Sequence, residues 1–402
     1  MRLLKLAWRY LWSQALTAGL NLLLLSLGLA AISFVLLVDE QIEAGVRRDL
    51  AGIDLVVGAK GSPMQIMLAG VFHLDVPTGN IPLASLTQLR AHPLVARVIP
   101  LSLGDSLRGH RIVGTTPDYL DLYQARLAAG RLWDAPLQAV LGAEAARATG
   151  LRVGDRFAGS HGLAAQGEAH AGQDYRVVGV LQASGTVLDR LVLTDLASVW
   201  AVHEAHHGQG EAQAKEQAEG EREITLALVS YRSPLAAMAL PRWVNAQPGL
   251  QAAAPALETA RLLRLVGAGS DVLRGFGLLL LLAAGLSVFV ALLHAVRARQ
   301  SDLAMLRMLG APPWRVGALV ALEALALALL ACGLGLALGH GLTAALGQVL
   351  AQQQSLRISG AWLSPSEALV PLLAIALALL AAAWPAWRAF RLDVTELLQA
   401  PR

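Results

Sequence analysis

The fold is decided by the apolar run ALTAGLNLLLLSLGLAAISFVLLV, which occupies residues 15–38 and contains no charged side chain. A helix that crosses the hydrocarbon core of a membrane needs about 20 predominantly apolar residues. Three further stretches reach this length, at 272–296, 316–340 and 368–387. The sequence therefore predicts an integral membrane protein with an α-helical bundle of four transmembrane helices.

The composition supports a membrane protein with one large soluble domain. The 402-residue chain is 55% hydrophobic and only 15% charged, whereas soluble domains carry about 25% charged residues. The deficit comes from the four spans, because residues 39–271 have ordinary soluble composition. The net charge of +3 comes from arginines beside the spans, which indicates membrane topology and not nucleic-acid binding. The one cysteine, Cys332, lies within a span, so the soluble domain has no disulfide.

The basic residues that flank the spans predict the orientation of the chain. They precede the first span at 2–9, fill the loop at 297–315 and form part of the segment 388–402. Cytoplasmic segments carry the excess of such residues. We therefore expect residues 1–14, 297–315 and 388–402 in the cytoplasm. The domain at 39–271 and the short loop at 341–367 would then lie outside, in a 1+3 arrangement of the four helices.

The domain at 39–271 is predicted to be a mixed α/β domain inserted between the first two spans. Apolar residues at helical spacing predict helices at Leu83–Ala91 and Leu137–Ala148. A polar segment at 203–223, rich in His, Glu and Gln, predicts a solvated insertion or loop. Short runs rich in β-branched residues predict strands at 54–57, 97–100, 111–114, 175–180 and 224–229.

The polar segment contains a formal match to a zinc motif. His203-Glu204-Ala205-His206-His207 fits H-E-x-x-H, which on a helix aligns two histidines to bind zinc, with the glutamate as general base. The glycines at 208 and 210 follow at once and argue against a helix long enough for a peptidase site. Two interpretations stay open, namely a solvated polar loop and a surface zinc site formed by His203, His206 and His207.

The loop at 297–315 contains the sequence DLAMLRMLGA at 302–311. Leu303, Leu306 and Leu309 fall on one face of a helix that Gly310 and Pro312 would end. By itself the pattern predicts a short helix at the membrane surface.

The same residues resemble the short cytoplasmic helix of the FtsX-like (MacB/LolCE-type) permeases of ABC transporters. LAWRYLW at 6–12 resembles the amphipathic first helix of that family, and WPAWRAFRLDVTELL at 384–398 resembles its closing segment. VGTTP at 113–117 and GLRVGD at 150–155 are similar to its periplasmic domain. The chain departs from the family in Pro312-Pro313, which replace polar residues, and in the His-rich segment.

For this chain the resemblance implies the transmembrane permease subunit of an ABC transporter, which is not an enzyme. A separate cytoplasmic ATP-binding subunit would hold ATP and Mg²⁺ and dock on the 297–315 loop. The permease would transmit the motion to its outer domain, which moves a periplasmic or membrane-embedded client. Leu306→Asp would then abolish stimulation of the ATPase. The residues expected in this coupling are Asp302, Leu303, Met305, Leu306, Arg307, Leu309 and Gly310.

The chain is expected to bind no nucleotide itself. Its nearest approach to a phosphate loop lies at 52–62, where Ala59 and Gly61 separate the glycine, lysine and serine. A phosphate loop needs Gly-Lys-Ser/Thr to be contiguous. We therefore expect no cofactor on this chain unless the histidine segment binds zinc.

Three residues of the third span are candidates for packing or coupling. A carboxylate such as Glu323 costs roughly 2.5–3.5 kcal/mol at the centre of a bilayer. It is expected either to contact Arg307 or Arg315 and transmit motion, or to lie among headgroups. Gly335 and Gly339 form a G-x-x-x-G pattern, which lets helices approach closely within the subunit or at a dimer interface.

The resemblance further implies a multi-pass protein of the bacterial inner membrane, surrounded by lipid. Its partners would be the ATP-binding subunit and a second copy or a paralogous permease, with a periplasmic protein or lipoprotein as a further candidate and no nucleic acid. Two alternatives stay open. One is a membrane regulator of a cell-wall hydrolase, and the other is a component of a zinc-linked ABC complex.

Overall fold

The structure is a computed structural model that describes residues 2–160, 169–207, 222–352 and 358–391. Short 3₁₀ turns occur at Trp12–Gln14, Val187–Arg190 and Pro365–Ala368. The helices are α1 (Arg2–Leu11), α2 (Ala15–Asp49), α3 (Pro63–Gly70), α4 (Ala84–Ala91), α5 (Asp118–Leu122), α6 (Ala143–Thr149), α7 (Leu196–His207), α8 (Ala236–Ala246), α9 (Pro255–Ala298), α10 (Gln300–Met308), α11 (Pro313–Gln352) and α12 (Leu369–Phe390).

Four of these helices, α2, α9, α11 and α12, are long and apolar enough to cross a membrane. They contain the four predicted spans, so the prediction of a four-helix membrane protein is confirmed. Three of them run well beyond the spans. At about 1.5 Å per residue, the 35 residues of α2 and the 44 residues of α9 extend roughly 52 Å and 66 Å, against about 30 Å for the hydrocarbon core of a bilayer.

The chain forms two compact units. The membrane unit comprises Met1–Ile42, Leu265–Gln352 and Leu356–Arg402. Its apolar core is built where α2, α9, α11 and α12 meet, around side chains such as Leu29, Ala284 and Ala328, which are fully buried. The remaining apolar surface of these helices is exposed, as expected for residues that face lipid.

The second unit, Glu43–Arg264 with Gln353–Ser355, is built on a large sheet and is called the sheet unit below. Its strands are β1 (Leu55–Ala59), β2 (Ile81–Pro82), β3 (Val95–Leu107), β4 (His110–Thr115), β5 (Leu127–Gly130), β6 (Gln138–Leu141), β7 (Arg156–Ser160), β8 (Ala169–Leu181), β9 (Val192–Asp195), β10 (Glu223–Ile224), β11 (Leu226–Tyr231) and β12 (Leu250–Ala253).

The main sheet is mixed. Its strand order is β12-β1-β11-β3-β4-β9-β6-β8-β5, and β7 pairs with β3 and β8. The pairs β4–β9 and β6–β8 are parallel, whereas the other neighbours are antiparallel. Each of the five predicted strand segments overlaps a strand, although β1 begins one residue late at Leu55 and the last segment is interrupted at Thr225 between β10 and β11. The prediction of an inserted α/β domain is therefore confirmed.

The predicted helix Leu137–Ala148 is wrong over its first half. Residues 138–141 form β6, which lies between β9 and β8, and its Ala139, Val140 and Leu141 are fully buried. Consecutive apolar residues suit a strand that is covered on both faces, and periodicity alone cannot separate such a strand from a buried helix. The helix α6 begins only at Ala143, after Gly142.

A buried histidine lies in the sheet unit beside two other buried polar groups. His73 is 8% exposed, and its Nε2 shares a 3.2 Å hydrogen bond with the hydroxyl of Tyr119. Arg111 is also buried and donates from Nη2 to the carbonyl of Asp75. Burial, reinforced by the positive charges of Arg111 and Arg190, holds the pKa of the His73 imidazole well below its usual range. The folded chain therefore keeps His73 neutral.

This histidine predicts a loss of stability in mild acid. Below about pH 6.5 the unfolded chain takes up a proton at His73 that the folded chain does not, so stability falls as the pH falls. We expect His73→Asn to reduce the pH slope of the unfolding free energy by about 1.4 kcal/mol per pH unit below pH 6. Asparagine suits the site because His73 has a φ of 54°.

Pulse proteolysis of the intact chain in nanodiscs, in graded urea between pH 5 and 7.5, measures this slope. His92→Asn, at a half-buried histidine that follows α4, is the control. Equal slopes for His73→Asn and the wild-type chain would contradict the prediction.

Candidate functional site

The short helix that the sequence predicts within 302–311 is present as α10, between α9 and α11. It ends in a regular C-terminal motif, in which the amide of Gly310 donates to the carbonyl of Arg307 and the amide of Ala311 donates to that of Leu306. Gly310 adopts a φ of 90°, which glycine accepts without strain. Pro313 then begins α11, a position where proline loses no helical hydrogen bond.

The apolar side chains of this segment are divided between two faces. Leu303 and Ala304 are buried in the core of the membrane unit, and Leu306 is half-buried against it. Met305 and Met308 are each 53% exposed, and Leu309 is 84% exposed. The sequence analysis placed Leu303, Leu306 and Leu309 on one face of the helix, and the structure divides this face between the bundle, which covers Leu303, and solvent, which reaches Leu309. We call Met305, Met308 and Leu309 the exposed apolar patch.

Of the other predicted coupling residues, Asp302 and Gly310 are exposed and Arg307 is half-buried. Trp314, at the start of α11, adds a further exposed apolar side chain 58% accessible to solvent. The accessible part of the segment is therefore apolar at its C-terminal end and acidic near its N-terminal end. Exposed apolar side chains held together by a fixed turn are suited to contact a partner protein.

Glu323 is buried in the membrane unit and forms an ion pair there. Its Oε1 lies 3.3 Å from Nη1 of Arg299, which immediately precedes α10. The sequence had pointed to Arg307 or Arg315 as partners. Arg315 instead stacks over the ring of Trp314, and the structure pairs Glu323 with Arg299. Arg299 is also bound to α1 and to the turn that follows it.

A small cavity lies beside this ion pair. Its volume is about 40 Å³, and its lining includes Asn21, Ala291 and Leu327 together with Arg299 and Glu323.

Gly335 and Gly339 pack against α2 within the same chain. A Cβ atom at Gly335 would lie 2.8 Å from Cβ of Leu29, and one at Gly339 would lie 2.7 Å from Oγ of Ser33. Only glycine permits this approach of the two helices. The sequence had left open packing within the subunit or at a dimer interface, and these contacts are internal.

A second polar cluster, which the sequence did not reveal, joins α2, α11 and the 3₁₀ turn Pro365–Ala368 before α12. Ser33 donates to Oε1 of Glu367 at 2.9 Å, and Nε2 of His340 lies 3.1 Å from the same oxygen. Nδ1 of His340 donates to the carbonyl of Gly360 at 2.6 Å. These residues are far apart in the sequence, so only the folded helices bring them together.

The H-E-x-x-H segment at 203–207 forms the C-terminal end of helix α7. Helix α7 ends at His207, the last residue of the motif, directly before Gly208. Residues 208–221 lie outside the described residues, and with them most of the predicted polar insertion. Among the side chains that the structure describes, which leave out those of 203–207, no group of three His, Cys, Asp or Glu residues could hold a metal ion. A zinc site at His203, His206 and His207 stays a prediction.

Comparisons with known proteins agree with this architecture. Residues 18–240 match the family model of the MacB-like periplasmic core domain, and residues 274–394 match that of the FtsX-like permease C-terminal region. A comparison with curated proteins gave no match.

Two solved structures are similar to the chain. The periplasmic region of MacB from Actinobacillus actinomycetemcomitans has 13% identity and a TM-score of 0.36, covering 54% of this chain and 95% of its own. The extracellular domain of the noncanonic ABC-type transporter YknZ from Gram-positive bacteria has 12% identity and a TM-score of 0.30, covering 50% and 98%.

Proposed function

The chain belongs to the family of ABC transporter permeases with an FtsX-like membrane region and a MacB-like periplasmic core domain, and from this membership we propose that it transmits force from a cytoplasmic ATPase to its periplasmic domain. Membership of this family implies a transmembrane permease component of an ABC transporter with a cytoplasmic ATPase partner.

The exposed apolar patch carries the proposal. Leu309 projects from a turn fixed by Gly310, while Leu303 anchors the same helix in the membrane core. A helix that is buried on one side and apolar on its exposed side is suited to receive a push from a docked partner and to pass it to the bundle. We propose that this loop and both termini lie on the cytoplasmic side of the bacterial inner membrane, because arginines flank the spans on that side.

The membrane helices would act as levers in this mechanism. The boundary between the two units falls inside α2 and inside α9, and both helices continue across it without a break. A continuous helix passes displacement along its axis more directly than a flexible linker does. Polar groups among the helices bind one another, as where Ser287 donates to Oδ1 of Asn21 at 2.6 Å. This pairing favours levers over an aqueous path for a client.

The proposed client is a periplasmic or membrane-embedded molecule, and lipoproteins and peptides both meet this description. One four-helix permease implies a second copy or a paralogous permease, since closed twofold assemblies are the commonest. The same architecture could instead regulate a cell-wall hydrolase. No nucleotide or metal on this chain is required for either activity, and zinc at the histidine segment would add a second role.

Affinity purification of the tagged chain from native membranes, in nanodiscs with Mg²⁺ and ATP, tests the proposal. We expect an ABC ATP-binding subunit to co-purify and its ATP hydrolysis to depend on the permease. Recovery of the intact chain without any such ATPase would refute the proposal. A cell-wall hydrolase recovered on the periplasmic domain would favour the regulator over the transporter.

A further inference from the structure

Arg299 is the residue that joins α10 to the rest of the membrane unit. Its guanidinium donates from Nη2 to the carbonyl of Tyr10 at 2.8 Å and to the hydroxyl of Ser13, and Nη1 lies 3.3 Å from Glu323. Its Cζ also stacks over the Tyr10 ring at 4.3 Å from the ring centre. One side chain therefore contacts α1, the turn after it and α11.

These contacts are enclosed. The Arg299 side chain is 14% exposed and that of Glu323 is 8% exposed. A charge removed from water in this way requires a compensating partner, and Glu323 supplies it. A planar guanidinium satisfies several acceptors and a ring face at once, which an ammonium group cannot do.

Arg299 lies at the start of α10, so the contacts of its side chain also act on that helix. Arg299 is the residue before α10, and its carbonyl accepts the 3.0 Å hydrogen bond from the amide of Leu303 in the first turn. A side chain that is fixed at this point also fixes where α10 begins and the direction in which it leaves the bundle. The exposed apolar patch is less than three turns away along the same helix.

We propose that Arg299 is a positioning residue that holds α10, and with it the exposed apolar patch, in the orientation that the ATPase subunit binds. The proposal rests on the proposed function for the identity of the partner only. Glu323 acts through Arg299, so a buried carboxylate in the membrane unit serves the cytoplasmic docking helix. The neighbouring Arg297 is exposed and belongs to the flanking charges that orient the spans.

Hydrogen exchange of the intact chain in nanodiscs tests the positioning without any partner. Arg299→Ala is expected to lower amide protection within 303–308 by at least about tenfold, while the core of α2 and α11 keeps its protection. Arg299→Lys keeps the positive charge but lacks the planar guanidinium, so its amide protection is expected to lie between that of the wild-type chain and that of Arg299→Ala. Glu323→Gln retains the shape of the side chain but removes its charge, and it should lower amide protection within 303–308 as well. Arg297→Ala is the matched control, with wild-type protection expected.

The proposal is overturned if Arg299→Ala and Glu323→Gln exchange like Arg297→Ala. It is also overturned if protection falls equally throughout the bundle, because Arg299 would then serve folding in general.

A second readout separates this proposal from the proposed function. In the complex with the ATPase, Arg299→Ala should raise the permease concentration for half-maximal stimulation by at least about tenfold and leave the KM for ATP unchanged. If Leu309→Asp weakens stimulation but Arg299→Ala leaves the half-maximal concentration unchanged, the positioning role is contradicted. If the exchange result is as expected but changes in the exposed patch leave the ATPase unaffected, the positioning stands and the docking function fails.

Discussion

Leu309→Asp is expected to abolish stimulation of the partner ATPase while leaving the chain folded in the membrane. Leu309 is 84% exposed and follows the last turn of α10, so the carboxylate is solvated in the free permease. Docking would desolvate that charge against an apolar surface. A central apolar contact of this kind is typically worth about 2 kcal/mol or more, so we expect binding to weaken by at least about 30-fold. ATP hydrolysis measured against permease concentration in nanodiscs reports this loss.

Leu363→Asp is the matched control for this experiment. Leu363 is 83% exposed in the membrane unit and lies in the 341–367 loop, which the sequence predicts to be outside. The substitution adds the same charge at an equally exposed leucine and is expected to leave the ATPase unaffected. Full stimulation of the ATPase by the Leu309→Asp chain would show that the docking surface does not lie at the C-terminal end of α10.

The structure changes the expectation for Leu306→Asp, which the sequence alone had favoured as the test of docking. Leu306 is half-buried against the core of the membrane unit. A carboxylate there would oppose the packing of α10 on the bundle, so a loss of activity would have two causes. Leu309→Asp tests docking without disturbing the packing of α10, because the Leu309 side chain makes little contact with the bundle.

Gly339→Leu is expected to disrupt the membrane unit. The first atom of the new side chain would lie 2.7 Å from Oγ and 2.8 Å from Cβ of Ser33 on α2. The helices must then separate, which costs about 1–3 kcal/mol for overpacking alone and also weakens the nearby bond from Ser33 to Glu367. Thermal unfolding in detergent should show a lower midpoint, and cross-linking between α2 and α11 should decrease.

Gly333→Leu is the control on the same helix. A Cβ at Gly333 would have no neighbour within 4 Å, so the larger side chain is accommodated in lipid. Both substitutions replace glycine by the same apolar residue, and the difference between them isolates the contact with α2. Equal unfolding midpoints for the two variants would show that the close approach of α2 and α11 contributes nothing to stability.

Much of this architecture could be predicted from the sequence because its strongest signals are local. A run such as residues 15–38 satisfies both the length and the composition of a span, and no tertiary contact is needed to recognise it. The segment 302–311 could be recognised as a helix from its spacing and from Gly310 alone. Local signals were insufficient at β6, where consecutive apolar residues are compatible with a buried helix or a buried strand.

The organisation of the coupling site depends on contacts that no local pattern specifies. The four arginines of the 297–315 segment look alike in the sequence, yet Arg299 is the one bound to Glu323 and Tyr10. Likewise, helical spacing aligns Leu303 with Leu309 but does not say which of them the bundle covers. The identity of the buried face follows only when α10 is placed against α1 and α11.

Distance measurement between two spin labels tests the central claim most directly. Cysteines introduced at the exposed positions Ala246 and Ala361, with Cys332→Ala, label the periplasmic domain and the membrane unit of one chain. In the complex with the ATPase, addition of ATP, Mg²⁺ and vanadate is expected to shift the distance distribution between the labels. Leu309→Asp should remove the shift. A distribution that stays unchanged in a complex that hydrolyses ATP would contradict the transmission of force from the ATPase to the periplasmic domain.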